Sequence, residues 1–251
     1  MTVKDVYDAI DSFAPFESQS EWDNAGILLG DPNREVTKAI VALDVTEYEI
    51  EAAKKAGAQL IISHHPAIFH PVKSVLACSV AYASISSGLS VISAHTNLDK
   101  APGGVNDSLC EALGLTYSKV PSPAADGFLN ICTVDGLMST AEFAKLVSDR
   151  LSAAVSYSKG AETVHKIGVC SGAGAEFAEE ARLLGCDAFL TGDASYHNFV
   201  DCVSRGISLF AAGHFETENI IVPALIKKLT EIFSEADFIP SERRSPIITV
   251  V

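Results

Sequence analysis

The chain has 251 residues, enough for one large α/β domain or two smaller ones, and nearly half of them are apolar, enough for a substantial core. Its formal net charge is −14, which argues against general nucleic-acid binding, since that needs a basic face. No apolar run approaches the roughly 18–20 residues of a membrane span, so no membrane association is expected.

The opening MTVKDVYDAIDSF is charged at Lys4 and Asp5 and has no apolar stretch of the signal-peptide kind. It reads as an amphipathic helix, with Val3, Val6, Tyr7, Ile10 and Phe13 on one face. Thr2 and Asp5 are spaced as a capping box. WDNAGILLGDP carries a short strand and ends in turn residues. Trp22, Asp23 and Asn24 before it form a polar-aromatic cluster, whose plainest reading is a turn with Trp22 as core filler. KAIVALDV is a second strand. A helix follows, capped by Thr46 with Glu49 three residues on and stopped by Gly57.

AQLIISHHP then forms a strand, residues 78–87 a helix, LSVISAH a strand and residues 105–113 a helix. This βαβα alternation favours a parallel sheet covered on both faces. PSPAADG, residues 121–127, is the candidate boundary between a first lobe, 1–125, and a second, 126–251. The second lobe continues with strand GFLNICTV, helix TAEFAKLVSDRL, strands AAVSYS and HKIGVC, and helix AEFAEEARLLG. Strand CDAFLTGD, a helix over 196–205, strand ISLFAAGH and a long helix over 218–233 complete it, with SPIITVV as a closing strand able to pair back with the first lobe. The two halves read as one architecture used twice, an α/β fold of two similar lobes.

Three strand ends carry imidazoles and carboxylates: His64 and His65, His95 and Asp99, His214 and Glu218. If those strands share one parallel sheet, all three ends open on its ligand-binding edge, and such donors suit divalent transition metals. At a strand end the chain turns, so adjacent His64 and His65 can reach two ions; a surface pair capping carbonyls is the bland alternative. The pairs four residues apart share a helical face, or sit in loops where the carboxylate fixes the imidazole tautomer. Glu216 rivals Glu218. Asp193 reads as a helix cap, His197 as pocket-lining, and His70 and His165 as structural.

GGVND can meet a phosphate at a helix start or simply turn, and SGAGAEF lacks the full dinucleotide spacing. No nucleophile elbow or P-loop occurs. The cysteines, Cys78, Cys110, Cys132, Cys170, Cys186 and Cys202, include no C-x-x-C pair, and most sit inside apolar patterns, as Cys132 and Cys170 do, which reads as buried thiols of a reducing cytoplasm.

In that order, SHHP with IFHP, AHTNLD followed by GGVND, TGDASYH and GHFETE resemble the motif set of the GTP cyclohydrolase 1 type 2 family, also called NIF-three-like. WDNAGILLGD is similar to its opening motif, with Ala25 where Val is frequent. The match spans nearly the whole chain. The resemblance implies interlocked lobes, a dinuclear metal centre between them at the strand ends, and a toroidal homohexamer, a trimer of dimers. Carried over residue by residue, the metal ligands are His64, His65, Asp99, His214 and Glu218, with His95 at the rim and Glu218 favoured as a bridge. Two divalent ions per chain follow: zinc, iron, manganese, nickel or cobalt. The short stretch between Gly127 and His165 leaves no room for the mid-chain domain that some family members insert. The implied activity is metal-assisted hydrolysis of a small anionic substrate, a guanine nucleotide by the family name. The alternative is a non-catalytic metal-binding carrier or regulatory ring.

Overall fold

The computed structural model describes residues 1–119 and 125–247. The fold is α/β, built on two sheets, and its contacts divide the chain into two units. The first comprises Met1–Pro102 with Ile221–Arg244, and the second is built on Gly103–Ile220.

The first unit contains helix α1 (Val3–Phe13), strands β1 (Gly26–Leu29) and β2 (Lys38–Ala42), helix α2 (Glu47–Ala56), strand β3 (Leu60–Ser63), helix α3 (Val80–Ser86), strand β4 (Ser90–Ser93) and the single-turn helix α4 (Thr96–Lys100). Both capping boxes read from the sequence form, at Thr2 with Asp5 and at Thr46 with Glu49, and Gly57 ends α2 at φ 68°. A left-handed residue there suits glycine, which has no Cβ to clash. With β11 (Asp237–Pro240) joining from late in the chain, the sheet order is β1-β4-β3-β2-β11, antiparallel at β1 and parallel elsewhere. β3 and β4 are buried along their whole length, as expected for central parallel strands covered on both faces. Ile50 and Ala53 of α2 and Ala81 of α3 pack on Ile40, Ile61 and Val91 of one face.

The second unit contains α5 (Val105–Leu113), β5 (Thr116–Lys119), β6 (Asn130–Ser139), α6 (Thr140–Leu151), β7 (Ser156–Ser158), β8 (Thr163–Val169), α7 (Ala178–Leu183), β9 (Ala188–Thr191), α8 (Tyr196–Ser204), β10 (Ser208–Ala211) and the one-turn α9 (His214–Glu218). Its sheet order is β5-β6-β8-β9-β10-β7, with the parallel trio β8-β9-β10 flanked by antiparallel strands. The two-residue period of a strand sends Ala188, Leu190 and Phe210 into one core cluster and Phe189 and Leu209 into another. In the first, Phe210 meets Phe143 of α6 edge to face at 4.9 Å.

The chain then returns to the first unit through α10 (Ile221–Ile232) and β11 (Asp237–Pro240), which pairs with β2. This division differs from the expected 1–125 and 126–251. α5 packs on α6 and α9, and β5 pairs with β6, so both belong to the second unit. The Pro/Ser-rich stretch looked like a linker because turn residues mark loops of every kind; its residues 120–124 lie outside those described. The expected closing strand lies largely outside them too, beyond residue 247, while β11, an edge strand with only Phe238 buried, went unanticipated. The long helix expected over 218–233 is α10, Ile221–Ile232, and the one-turn α9, His214–Glu218, precedes it. The three strand ends that carry the candidate imidazoles and carboxylates are shared between two sheets, β3 and β4 in one and β10 in the other, and not a single one. Among the described residues no helix is long and apolar enough to cross a membrane.

Candidate metal centre

In the first unit, β3 and β4 run parallel with Ser63 level with Ser93, so the residues just past them emerge side by side. The ladder continues beyond the strands: His64 N–H donates to Ala42 O, His65 N–H to Leu43 O and Ala94 N–H to Ser63 O. This backbone anchoring gathers His64, His65 and His95, with one ring nitrogen of each inside a 4.8 Å group. His95 precedes α4, and Asp99 within that helix places Oδ1 3.5 Å from His64 Nε2. His64 and Asp99 are buried.

The other ring nitrogen of each histidine is tethered. His64 Nδ1 lies 2.9 Å from Ala94 O. A carbonyl only accepts, so Nδ1 carries the proton and Nε2 keeps its lone pair. His65 Nδ1 meets Asp44 Oδ1 at 2.7 Å, and His95 Nδ1 meets Asp23 Oδ1 at 2.8 Å. Arg243 in turn holds Asp44, its guanidinium 3.0 Å from Oδ2. Burial pushes the Asp23 carboxyl up, but hydrogen bonds from His95 and from Thr96 hydroxyl and N–H outweigh it and hold the group at about 2.

The second unit repeats this local design. Gly213, at φ 90°, turns the chain out of β10 and starts α9 on His214. One helical turn on, Glu218 sets Oε2 3.0 Å from His214 Nε2, and the other nitrogen, Nδ1, meets Asp193 Oδ2 at 2.7 Å. Gly172 makes room: a Cβ there would fall 2.0 Å from Glu218 Oε1, and its φ of 57° already disfavours other residues. Thr217 Oγ1 accepts from Gly172 N–H at 3.2 Å, and Asn106 accepts from Ser171 N–H at 2.7 Å, which stitches this loop in place.

The donor sets fit a divalent cation. Two ligands about 2.1 Å from one ion lie about 3.0–3.4 Å apart in octahedral or tetrahedral geometry, and the His214–Glu218 and His64–Asp99 spacings are 3.0 and 3.5 Å. Imidazoles whose second nitrogen is fixed by a carboxylate or carbonyl are the usual form of metal-binding histidine.

Several sequence readings change. Asp193 does not cap α8; Ser195 does, with Asn198, and Asp193 orients His214. Trp22 is no core filler: it is 60% exposed, and Asp23 beside it holds His95. His197 is exposed against Tyr196, and His70 against Phe69. His165 contacts Gly136 O. Glu216 folds back over Gly213, where a Cβ would meet its Oε2 at 2.1 Å. In GGVND, Gly103 turns at φ 65°, Asp107 accepts the Gly103 N–H and Asn106 buttresses Ser171, so the turn reading holds. Asp44 and the space-making role of Gly172 escaped the sequence reading; an acid two residues past a strand was the available signal for Asp44.

The fold is α/β, and the imidazoles and carboxylates clustered at its parallel strand ends could hold a metal ion. Residues 1–246 match the family described as Duf34/NIF3 (NGG1p interacting factor 3), and the chain belongs to that family. Curated relatives include a GTP cyclohydrolase 1 type 2 homolog of Clostridium perfringens, 31% identical, with 96% of this chain and 97% of that protein covered. The GTP cyclohydrolase 1 type 2 of Helicobacter pylori is 31% identical over 86% of this chain and 87% of its own. Among solved structures, a Staphylococcus aureus hypothetical protein superposes with TM-score 0.91 at 26% identity, covering 100% of this chain and 99% of that one. Reduced HcgD from Methanocaldococcus jannaschii gives 0.81 at 26%, covering 97% and 98%.

Proposed function

We propose that the chain is a metal-dependent hydrolase in which His64, His65, Asp99, His214 and Glu218 hold two divalent cations. The observation that carries this reading is the tethering of all four histidines His64, His65, His95 and His214 through Nδ1 to an oxygen acceptor. That arrangement orients Nε2 of His64, His65 and His214 as ligand atoms before any cation arrives, so little ordering cost remains on binding. The metal is zinc, iron, manganese, nickel or cobalt, the set that imidazole with carboxylate suits. When bound, such a pair of cations acidifies water and polarises a substrate oxygen or ring carbon.

The chain's own groups then divide the work. Glu218, buried and seated against Gly172, is our choice for the carboxylate shared by both cations. His95 Nε2 is the atom we assign to proton transfer, because an imidazole nitrogen both gives and takes a proton and Asp23 keeps the ring aimed. With a chain this acidic, the positive charge that draws an anionic substrate comes from the cations. The names of the relatives point to a guanine nucleotide, and a small anionic nucleotide is the substrate class we adopt. We place the protein in the cytoplasm, in keeping with free thiols at Cys110, Cys132, Cys170, Cys186 and Cys202, all buried. We assign it to a toroidal homohexamer, a trimer of dimers, for which exposed Val72, Val75 and Leu76 offer apolar contact surface.

The test is a screen of metal-loaded protein against nucleotides and phosphoesters, with Glu218→Gln as control. Turnover by the wild type that the variant loses is the expected result. Metal bound by the wild type with no turnover on any substrate would instead favour a carrier or regulatory ring.

A further inference from the structure

Trp22 is the chain's single tryptophan, and 60% of it is exposed. A large aromatic side chain left in water forgoes a sizeable hydrophobic gain. Here the exposure is not the slack of a loose loop. Gln19 Oε1 accepts from Ala25 N–H at 2.8 Å and closes the turn. Asp23, with its side chain fully buried, ties the turn to His95 and Thr96. Asn24 Nδ2 donates to Ile68 O at 2.5 Å, which couples the turn to the segment carrying Phe69.

These ties set three rings together. Trp22 meets His95 edge to face at 6.3 Å and Phe69 at 6.0 Å, and Phe69 meets His95 edge to face at 6.1 Å. Phe69 is itself 38% exposed. Two open aromatic rings thus flank the histidine that also groups with His64 and His65. Because Asp23 accepts a hydrogen bond from His95 Nδ1–H, Nε2 is the ring nitrogen left to meet a ligand, in a ring whose centroid lies 6.3 Å from that of the indole.

We propose that Trp22, backed by Phe69, is a stacking platform that selects ligands bearing a flat heteroaromatic ring with an N–H or amino edge. The ring lies on the indole, and its donor edge meets His95 Nε2. Stacking on an aromatic face tolerates any base, because every base has a π-face, and ribose 5-phosphate has no base to place there. A sugar phosphate therefore lacks most of the grip that a nucleotide gains. This deepens the hydrolase reading by naming what the substrate must contain, and rests on it only for the use of the neighbouring His cluster.

The solitary indole makes the test direct. Wild-type protein, metal-loaded and chelator-treated, is titrated with guanosine 5′-monophosphate, adenosine 5′-monophosphate and ribose 5-phosphate while tryptophan emission is followed. Both nucleotides should quench it saturably, and ribose 5-phosphate should leave it unchanged. By calorimetry, Trp22→Ala should weaken nucleotide binding about tenfold or more, the loss typical of one stacked base. Trp22→Phe should recover most of that, and neither variant should lose metal. Equal nucleotide affinity in wild type and Trp22→Ala overturns the platform, and so does loss of metal on that substitution, which would make the indole a structural prop. A blue-shifted emission in free protein that relaxes on dilution also overturns it, by placing Trp22 in a contact between copies. Quenching that persists without metal, or without any turnover, separates this inference from failure of the hydrolase reading.

Discussion

Each unit carries a parallel trio of strands joined by helices: β2, β3 and β4 in the first, β8, β9 and β10 in the second. Their ends can be compared position by position. Past the first strand stands Asp44 in one unit and Gly172 in the other. Past the second stand His64 and His65, against Asp193. Past the third, both units place a single-turn helix with an imidazole at its start and a carboxylate four residues on, His95 with Asp99 and His214 with Glu218. The third positions match in chemical class and spacing, although Asp99 lies against His64 of the neighbouring strand end and Glu218 against His214 of its own helix. The first two do not: the first unit spends its second strand end on imidazoles proposed as ligands and draws orienting carboxylates from Asp44 and from the turn at Asp23. The second unit uses its second strand end for the orienting carboxylate, Asp193, and its first for a glycine that admits Glu218. A strand end thus provides position alone, and the neighbouring strand decides whether the group there binds or braces.

Replacing the ligands breaks the comparison most severely. His65→Ala should remove about one ion per chain, as expected of a site holding a pair of cations, and elemental analysis checks it; unchanged stoichiometry would refute the assignment. His70→Ala, outside both clusters, should leave metal content intact. Gly172→Ala comes next. The left-handed backbone costs about 1–2 kcal/mol for a residue with a Cβ, and the new methyl displaces the Glu218 carboxylate. Thermal unfolding and metal titration should both register it, with affinity down tenfold or more.

Asp44→Asn and Asp193→Asn sharpen the comparison, since each touches one imidazole from a different strand position. Each should weaken metal binding about 10–100-fold with little change in circular dichroism, and similar losses would establish that the two braces are equivalent. The smallest effect belongs to Glu179, far from this chemistry. Hydrogen bonds from Arg182, and behind it Arg205, outweigh burial and hold its carboxyl at about 2, below the ordinary 4.5. Its stabilisation is therefore present above pH 4.5 and lost as pH falls towards 2. Melting of Glu179→Gln should trail the wild type slightly at neutral pH and converge with it near pH 2, the gap kept small by solvent screening.

Much of this was legible along the chain. Strands β2, β3, β4, β9 and β10 are apolar runs bounded by turn residues, and the caps at Thr2, Thr46 and Gly57 follow from local hydrogen bonding. The histidines and carboxylates stood out because each follows such a run. The unit boundary did not, because Pro and Gly mark turns whether or not a domain ends there. β5 and β11, both at sheet edges, were similarly hidden, since neither is a buried apolar run: most of their residues are exposed or half-buried.

By itself the sequence determined the order of elements, the two βα series and the donor groups at three strand ends, because hydrophobic period, capping and turn chemistry act between residues a few positions apart. Only the tertiary structure decided that Asp23 braces His95 across 72 positions, that Asp44 braces His65 and Asp193 braces His214 across 21 each, and that Gly172 must lack a side chain. Those roles depend on which strands become neighbours and in what register, and pairing between distant segments leaves no local trace in either one.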